Sequence, residues 1–374
     1  MSLKATLSTL NNAWIISVLG AGTLVFLERP QLFLGTVSLS APAVKVALVT
    51  SYALDVACVS VPGRIDDQVA KAIAEGEGSA AGKKSDGEVK SLLERTSDAL
   101  NPATLNAGVA LAPVGGRTLV APAGWAFAIW GPIFLGEFLS VAVAGAILTS
   151  SSSCFPIFRK IVLPFVSAHF FQCLWCASFR EKYAKIKGGM LISGACLAGT
   201  AFSLGKVNAI VVSASASGSY TFAQYLLYFF PMSLHFGWTT AATLVNLNAA
   251  IALDAASSPL TLAVAGISTS VVAAVGGAAF AILRGSPVFS GVISWALFAV
   301  ADGMRKRIRA EENQPAQSAG GSSSTSSEEP TGMYGAKWQL RVSTAGAWIC
   351  AIVTAVVGYR AAGPVGGYVP IGSS

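Results

Sequence analysis

The stretch at residues 260–283, LTLAVAGISTSVVAAVGGAAFAIL, decides the fold class. It holds no charged side chain, and a helix of that length rises ~1.5 Å per residue, enough to cross a hydrocarbon core ~30 Å thick. Runs of the same character recur at approximately 40–61, 120–148, 161–179, 189–213, 222–252, 287–302 and 342–362, separated by polar joints. Composition agrees: 53% of the 374 residues are apolar and 11% are charged. Soluble domains carry about a quarter charged residues, so a water-facing globule is excluded. Mean hydropathy is +0.62. The 38 glycines follow no collagen-like period; within apolar runs they let helix backbones approach closely in lipid. The chain reads as an all-α, polytopic transmembrane helical bundle.

The net charge of +7 does not point to nucleic acid, because the basic residues sit in short clusters beside apolar runs. Arg180, Lys182, Lys185 and Lys187 form one, and Arg305, Lys306, Arg307 and Arg309 another. Alternating the spans puts loops 62–117, 180–188 and 303–341 on one side with nearly all the loop Lys and Arg. The positive-inside rule assigns that side to the cytosol or an equivalent compartment, with the C-terminus on the far side. No organelle is indicated. The six cysteines are scattered. Cys173 and Cys176 form a C-x-x-C, but their apolar flanks favour a packed helix face over a redox or metal site.

The chain divides into an N-terminal hydrophobic segment (1–39), a first firm span (40–61), a polar loop (62–117), a core (118–253), two further spans (254–303), a basic and then Ser/Gly/Glu-rich linker (304–341), and a last span with its tail (342–374). Trp14 to Leu27 suits a signal-anchor, a cleaved signal or a targeting segment. Val89, Leu92 and Leu93 give the polar loop a short helical patch, and residues 310–331 have the composition of a disordered linker.

Three aromatic stretches stand out. Pro122-Ala123-Gly124-Trp125-Ala126-Phe127-Ala128-Ile129-Trp130-Gly131-Pro132 opens one span, where Pro132 is expected to kink the helix. Phe170-Phe171-Gln172-Cys173-Leu174-Trp175 places an amide and an indole on one helix face. A third runs from Phe230 through His235-Phe236-Gly237-Trp238 to Asn246 and Asn248. Taken alone, each suits an interfacial aromatic belt. In this order and at these separations they resemble the TspO/MBR family, the tryptophan-rich translocator-protein and peripheral benzodiazepine-receptor relatives. The resemblance covers about 101–253, with the preceding span 40–61 as a candidate addition. It implies a TspO-like five-helix core, with the later spans as additional C-terminal helices, and a pocket for tetrapyrroles, sterols or other flat apolar ligands. Trp125, Phe127, Trp130, Trp175, Trp238 and Asn246 are the matching positions, and Gln172 stands where the family usually has asparagine. Rigid rings suit stacking, and a few amides fix orientation in an apolar pocket.

Ionisable groups inside a bilayer are costly. Glu137 lies near the middle of its span and Lys206 toward the end of its own, at matching depths, so a buried Glu137–Lys206 charge pair is expected, with a proton or ion step in transport as the alternative. The only histidines, His169 and His235, are both intramembrane. A hydrogen-bonded packing role is favoured over ligation of a porphyrin metal, though His235 sits one turn before Trp238 and joins the candidate ligand site. No nucleophile elbow, phosphate loop, metal cluster or paired-carboxylate site is visible, so neither an enzyme nor a metal is expected. The expectation is a membrane protein that binds a hydrophobic small molecule and mediates or regulates its transport. It needs no obligatory cofactor, with porphyrin and sterol as the candidate bound molecules. It contacts lipid but not nucleic acid, and is compatible with a homo-oligomer. The rivals are an ion- or proton-coupled secondary transporter using Glu137 and Lys206, and a structural subunit of a membrane complex.

Overall fold

The structure, a computed structural model, describes residues 11–34, 39–61, 63–65, 117–254, 256–312 and 334–362. Those residues form helices and connecting turns, with no strand among them. The main helices are α1 (Ala13–Glu28), α2 (Ala41–Val59), α3 (Trp130–Ile147), α4 (Phe155–Ser178), α5 (Gly189–Ala216), α6 (Phe230–Leu253), α7 (Pro259–Arg284), α8 (Pro287–Glu312) and α9 (Ala336–Ala362). The helical patch at Val89 to Leu93 and nearly all of the 310–331 linker lie outside the described residues.

Seven helical segments among the described residues are long and apolar enough to cross a membrane: α2, the 3-10 turn Gly124–Ile129 with α3, α4, α5, α7, α8 and α9. Helix α6 is as long as α4 at 24 residues. Its buried Ser233, His235, Thr239, Asn246 and Asn248 dilute its apolar character, because this helix faces protein rather than lipid. The chain is thus a multi-pass integral membrane protein. Helices α4 and α9 begin earlier, at Phe155 and Ala336, than the hydrophobic runs suggest. Their extra turns carry Arg159 and Lys160, and Lys337 and Arg341, which belong at the membrane surface.

Local chemistry sets several boundaries. The side chains of Asn12, Ser40 and Ser258 cap α1, α2 and α7 by accepting first-turn N–H groups, satisfying donors that a helix leaves unpaired. Gly285 ends α7 at φ +64°, a left-handed conformation that favours glycine. The kink expected at Pro132 is a change of helix type instead. Gly124–Ile129 is a 3-10 turn that passes into α3 at Trp130, leaving Pro132 in the first turn, where a missing N–H costs little.

Helices α2 to α6 enclose one interior: α4 packs on α2 and α5, α5 on α6, and α3 on both α2 and α6. Small residues bring the axes together. A Cβ on Gly199 of α5 would lie 2.5 Å from the Phe171 ring of α4, and one on Gly136 of α3 would lie 2.5 Å from Pro231 of α6. Helix α1 lies against α4 and α5, and α7, α8 and α9 form a further layer against α6. There a Cβ on Gly237 of α6 would lie 2.7 Å from Val292 of α8. Leu48, Phe158, Phe165, Leu204, Phe229 and Met232 fill the main core. Outward faces present Leu135, Phe138, Leu139, Val264, Val272, Val275 and Ile352, the apolar surface that lipid requires.

Candidate functional site

The close approach of Gly136 to Pro231 sets the register between α3 and α6. One residue after Gly136, Glu137 points into the bundle; four residues after Pro231, His235 meets it. The Glu137 Oε1 to His235 Nδ1 distance is 2.8 Å, and His235 Nε2 lies 2.7 Å from Gln172 Oε1 on α4. One turn before Gln172, His169 places Nε2 3.5 Å from Glu137 Oε2 and Nδ1 3.3 Å from Ser51 Oγ on α2. Asp55 stands one turn after Ser51 and interacts electrostatically with His169, His235 and Glu137. Its two carboxylate oxygens have no hydrogen-bond partner. Asp55, Glu137, Gln172 and His235 are all 0% exposed. Four helices therefore converge on a sealed cluster of two carboxylates, two imidazoles and an amide, whose burial demands mutual compensation.

An aromatic wall adjoins this cluster. The Trp130 ring meets His235 edge-to-face at 5.7 Å and Trp238 at 6.2 Å, and it stacks on Phe134 at 5.2 Å. Phe127 meets Trp238 edge-to-face at 5.6 Å. Trp238 is buried and its indole N–H has no acceptor, while Phe127 is 43% exposed. The wall is thus closed at Trp238 and open to the protein surface at Phe127. It forms because α3 and α6 touch at Gly136 and because the 3-10 turn swings Phe127 across the end of the interface.

Of the residues expected at the site, Phe127, Trp130, Gln172, His235 and Trp238 come together; the others do different work. The Trp125 indole donates to Asp302 Oδ2 of α8 at 3.0 Å and meets Trp295 edge-to-face at 4.7 Å, so it seats the 3-10 turn on α8. Trp295 in turn donates to the Ala126 carbonyl at 3.0 Å. Trp175 stacks on Phe179 and lies 5.9 Å from the Arg64 guanidinium, in a separate core with Ile16, Ile65 and Cys196. Asn246 accepts from Ser193 of α5 at 3.2 Å and donates to the Ala242 carbonyl, which ties α5 to α6. The expected Glu137–Lys206 pair does not form. Lys206 binds Glu28 at the end of α1, at 2.9 Å, on the outside of the bundle. Equal depth says nothing about which way a side chain faces, and the ionisable groups near Glu137 are the two histidines and Asp55.

Residues 105–310 match the family described as TSPO-like protein. This chain belongs to the TSPO-like protein family. No curated protein and no solved structure matches it. The family match runs past residue 253 through α7 and almost all of α8. The TSPO-like part therefore includes the helix that holds Trp125, and it leaves out α2, which brings Ser51 and Asp55 to the cluster. Ser51 and Trp295 carry no sequence signal that sets them apart from other serines and tryptophans of the spans. Asp55 does carry one, as an acid inside the apolar run 40–61.

Proposed function

We propose that the chain binds a flat or polycyclic hydrophobic molecule of tetrapyrrole or sterol type at the wall of Phe127, Trp130 and Trp238, and serves its passage or regulation within the membrane. The observation that carries this reading is the convergence of three rings from two separate matched stretches around an indole N–H that is buried without an acceptor. Large rigid faces give a planar ligand both burial and stacking. The idle Trp238 N–H offers a donor to a ligand's carbonyl, carboxylate or hydroxyl. The half-open position of Phe127 suits entry from lipid. The ion-coupled alternative lacks its motivating contact, since Lys206 is engaged by Glu28. The chain's eight tryptophans provide the readout. Titrating protoporphyrin IX into detergent-solubilised protein should quench their fluorescence saturably, with one ligand per chain and competition by unlabelled tetrapyrrole. Linear, non-saturating quenching, as a dye dissolved in the micelle gives, would remove the reading's support.

A further inference from the structure

Each buried ring is held from outside the cluster, His169 by Ser51 and His235 by Gln172. With the Ser51 hydroxyl donating to the Leu48 carbonyl at 3.1 Å, its oxygen accepts from His169 Nδ1, 3.3 Å away. With the Gln172 amide oriented as it stands, its Oε1 accepts from His235 Nε2 at 2.7 Å. In their neutral forms both rings then turn an unprotonated nitrogen onto the same carboxylate, His169 Nε2 onto Oε2 and His235 Nδ1 onto Oε1 of Glu137. Lone pair faces lone pair at both contacts, which is repulsive unless a positive charge lies between. A proton suits the 2.8 Å contact, but the 3.5 Å separation is too long for a good N–H···O bond.

We propose that Glu137, His169 and His235 bind a divalent transition-metal ion, zinc in the first instance, with Asp55 as the balancing carboxylate. One donor atom from each of the three lies within 4.8 Å of the others. Tetrahedral zinc with bonds of ~2.0–2.1 Å sets its ligands ~3.3–3.4 Å apart, inside the range the cluster spans. Outward N–H groups held by Ser51 and Gln172 are the arrangement that orients metal-ligating imidazoles. Charge agrees as well. In their ionised forms the two buried carboxylates, one with no hydrogen-bond partner for either oxygen, carry two negative charges that a divalent ion cancels. Two imidazoles with a carboxylate form a donor set suited to zinc or ferrous iron.

Cobalt(II) is the probe, since it replaces zinc and reports its ligands through visible d–d absorption. Tag-free full-length protein, stripped with a membrane-permeant chelator and incubated with cobalt(II), should retain one ion per chain through gel filtration and show the intense bands of low-coordinate cobalt. His169 and His235 are the chain's only imidazoles, so adventitious histidine ligation is ruled out. His235→Gln should abolish the bands. Gln172→Leu, which keeps every ligand and removes only the acceptor behind His235, should weaken cobalt binding ~10- to 100-fold. Parent protein that folds yet retains no cobalt, or bands that survive in both His169→Gln and His235→Gln, would overturn the site and leave the two contacts to shared protons.

Discussion

Glu137→Met is expected to cost the detergent-solubilised chain roughly 3–5 kcal/mol of stability, the scale on which breaking a buried charged pair acts. Methionine fills nearly the same volume, so the loss comes from electrostatics rather than from a cavity. Without the carboxylate, the inner nitrogens of His169 and His235 lose their shared partner and face apolar side chains. Replacing the whole set, with Asp55→Leu, His169→Leu and His235→Leu added to Glu137→Met, should recover most of the loss, because buried polar sets exchange for apolar ones at little net cost. Thermal melts of parent, single and quadruple variants in one detergent check this. A single variant that melts with the parent would mean that the cluster is not held together through Glu137.

Trp130→Ala and Trp238→Ala should each weaken protoporphyrin binding by more than about tenfold, since aromatic anchors at binding hot spots contribute ~2 kcal/mol or more. Trp130 supplies the face between His235 and Trp238, and Trp238 supplies both a face and the idle N–H. Trp14→Ala and Trp348→Ala serve as controls, at 75% and 58% exposure and far in sequence from the wall. Truncating a packed tryptophan also costs stability, so affinity is compared among variants that retain a cooperative melt, with Trp238→Phe keeping the ring and losing the N–H. Folded Trp130→Ala and Trp238→Ala proteins that bind like the parent would reduce the wall to helix packing.

Much of the bundle is legible in the sequence because the bilayer imposes a simple rule. Uncharged runs such as 260–283 must be helices, and their number and order come directly from the hydropathy pattern. The ends are harder to place, since Arg159 and Lys337 continue a helix beyond the apolar run that announces it. The pairing of Trp130 with Trp238 is visible as motif order, and His235 as an imidazole one turn away. Direction around each helix axis is not visible in the same way. Depth makes Glu137 and Lys206 look like partners, whereas rotation sends Lys206 outward to Glu28 and Glu137 inward to His169 and His235. The same limit groups Trp175 and Asn246 with the wall, although they face the α1 side and the α5 interface. Trp125 is legible as a motif residue, but its partner Asp302 lies 177 positions away, on a helix that nothing in the motif announces.

Photoaffinity mapping locates the bound ligand on the chain. A porphyrin or sterol probe bearing a small photoreactive group is irradiated with the protein in lipid nanodiscs, with and without excess unlabelled ligand, and the adducts are located by mass spectrometry. Competable labelling is expected at residues 125–134 and 230–240, the two segments that build the wall, with only non-competable labelling on the outward-facing side chains of α7 and α9. Competable adducts confined to α7 and α9, with none on either wall segment, would contradict binding at the wall.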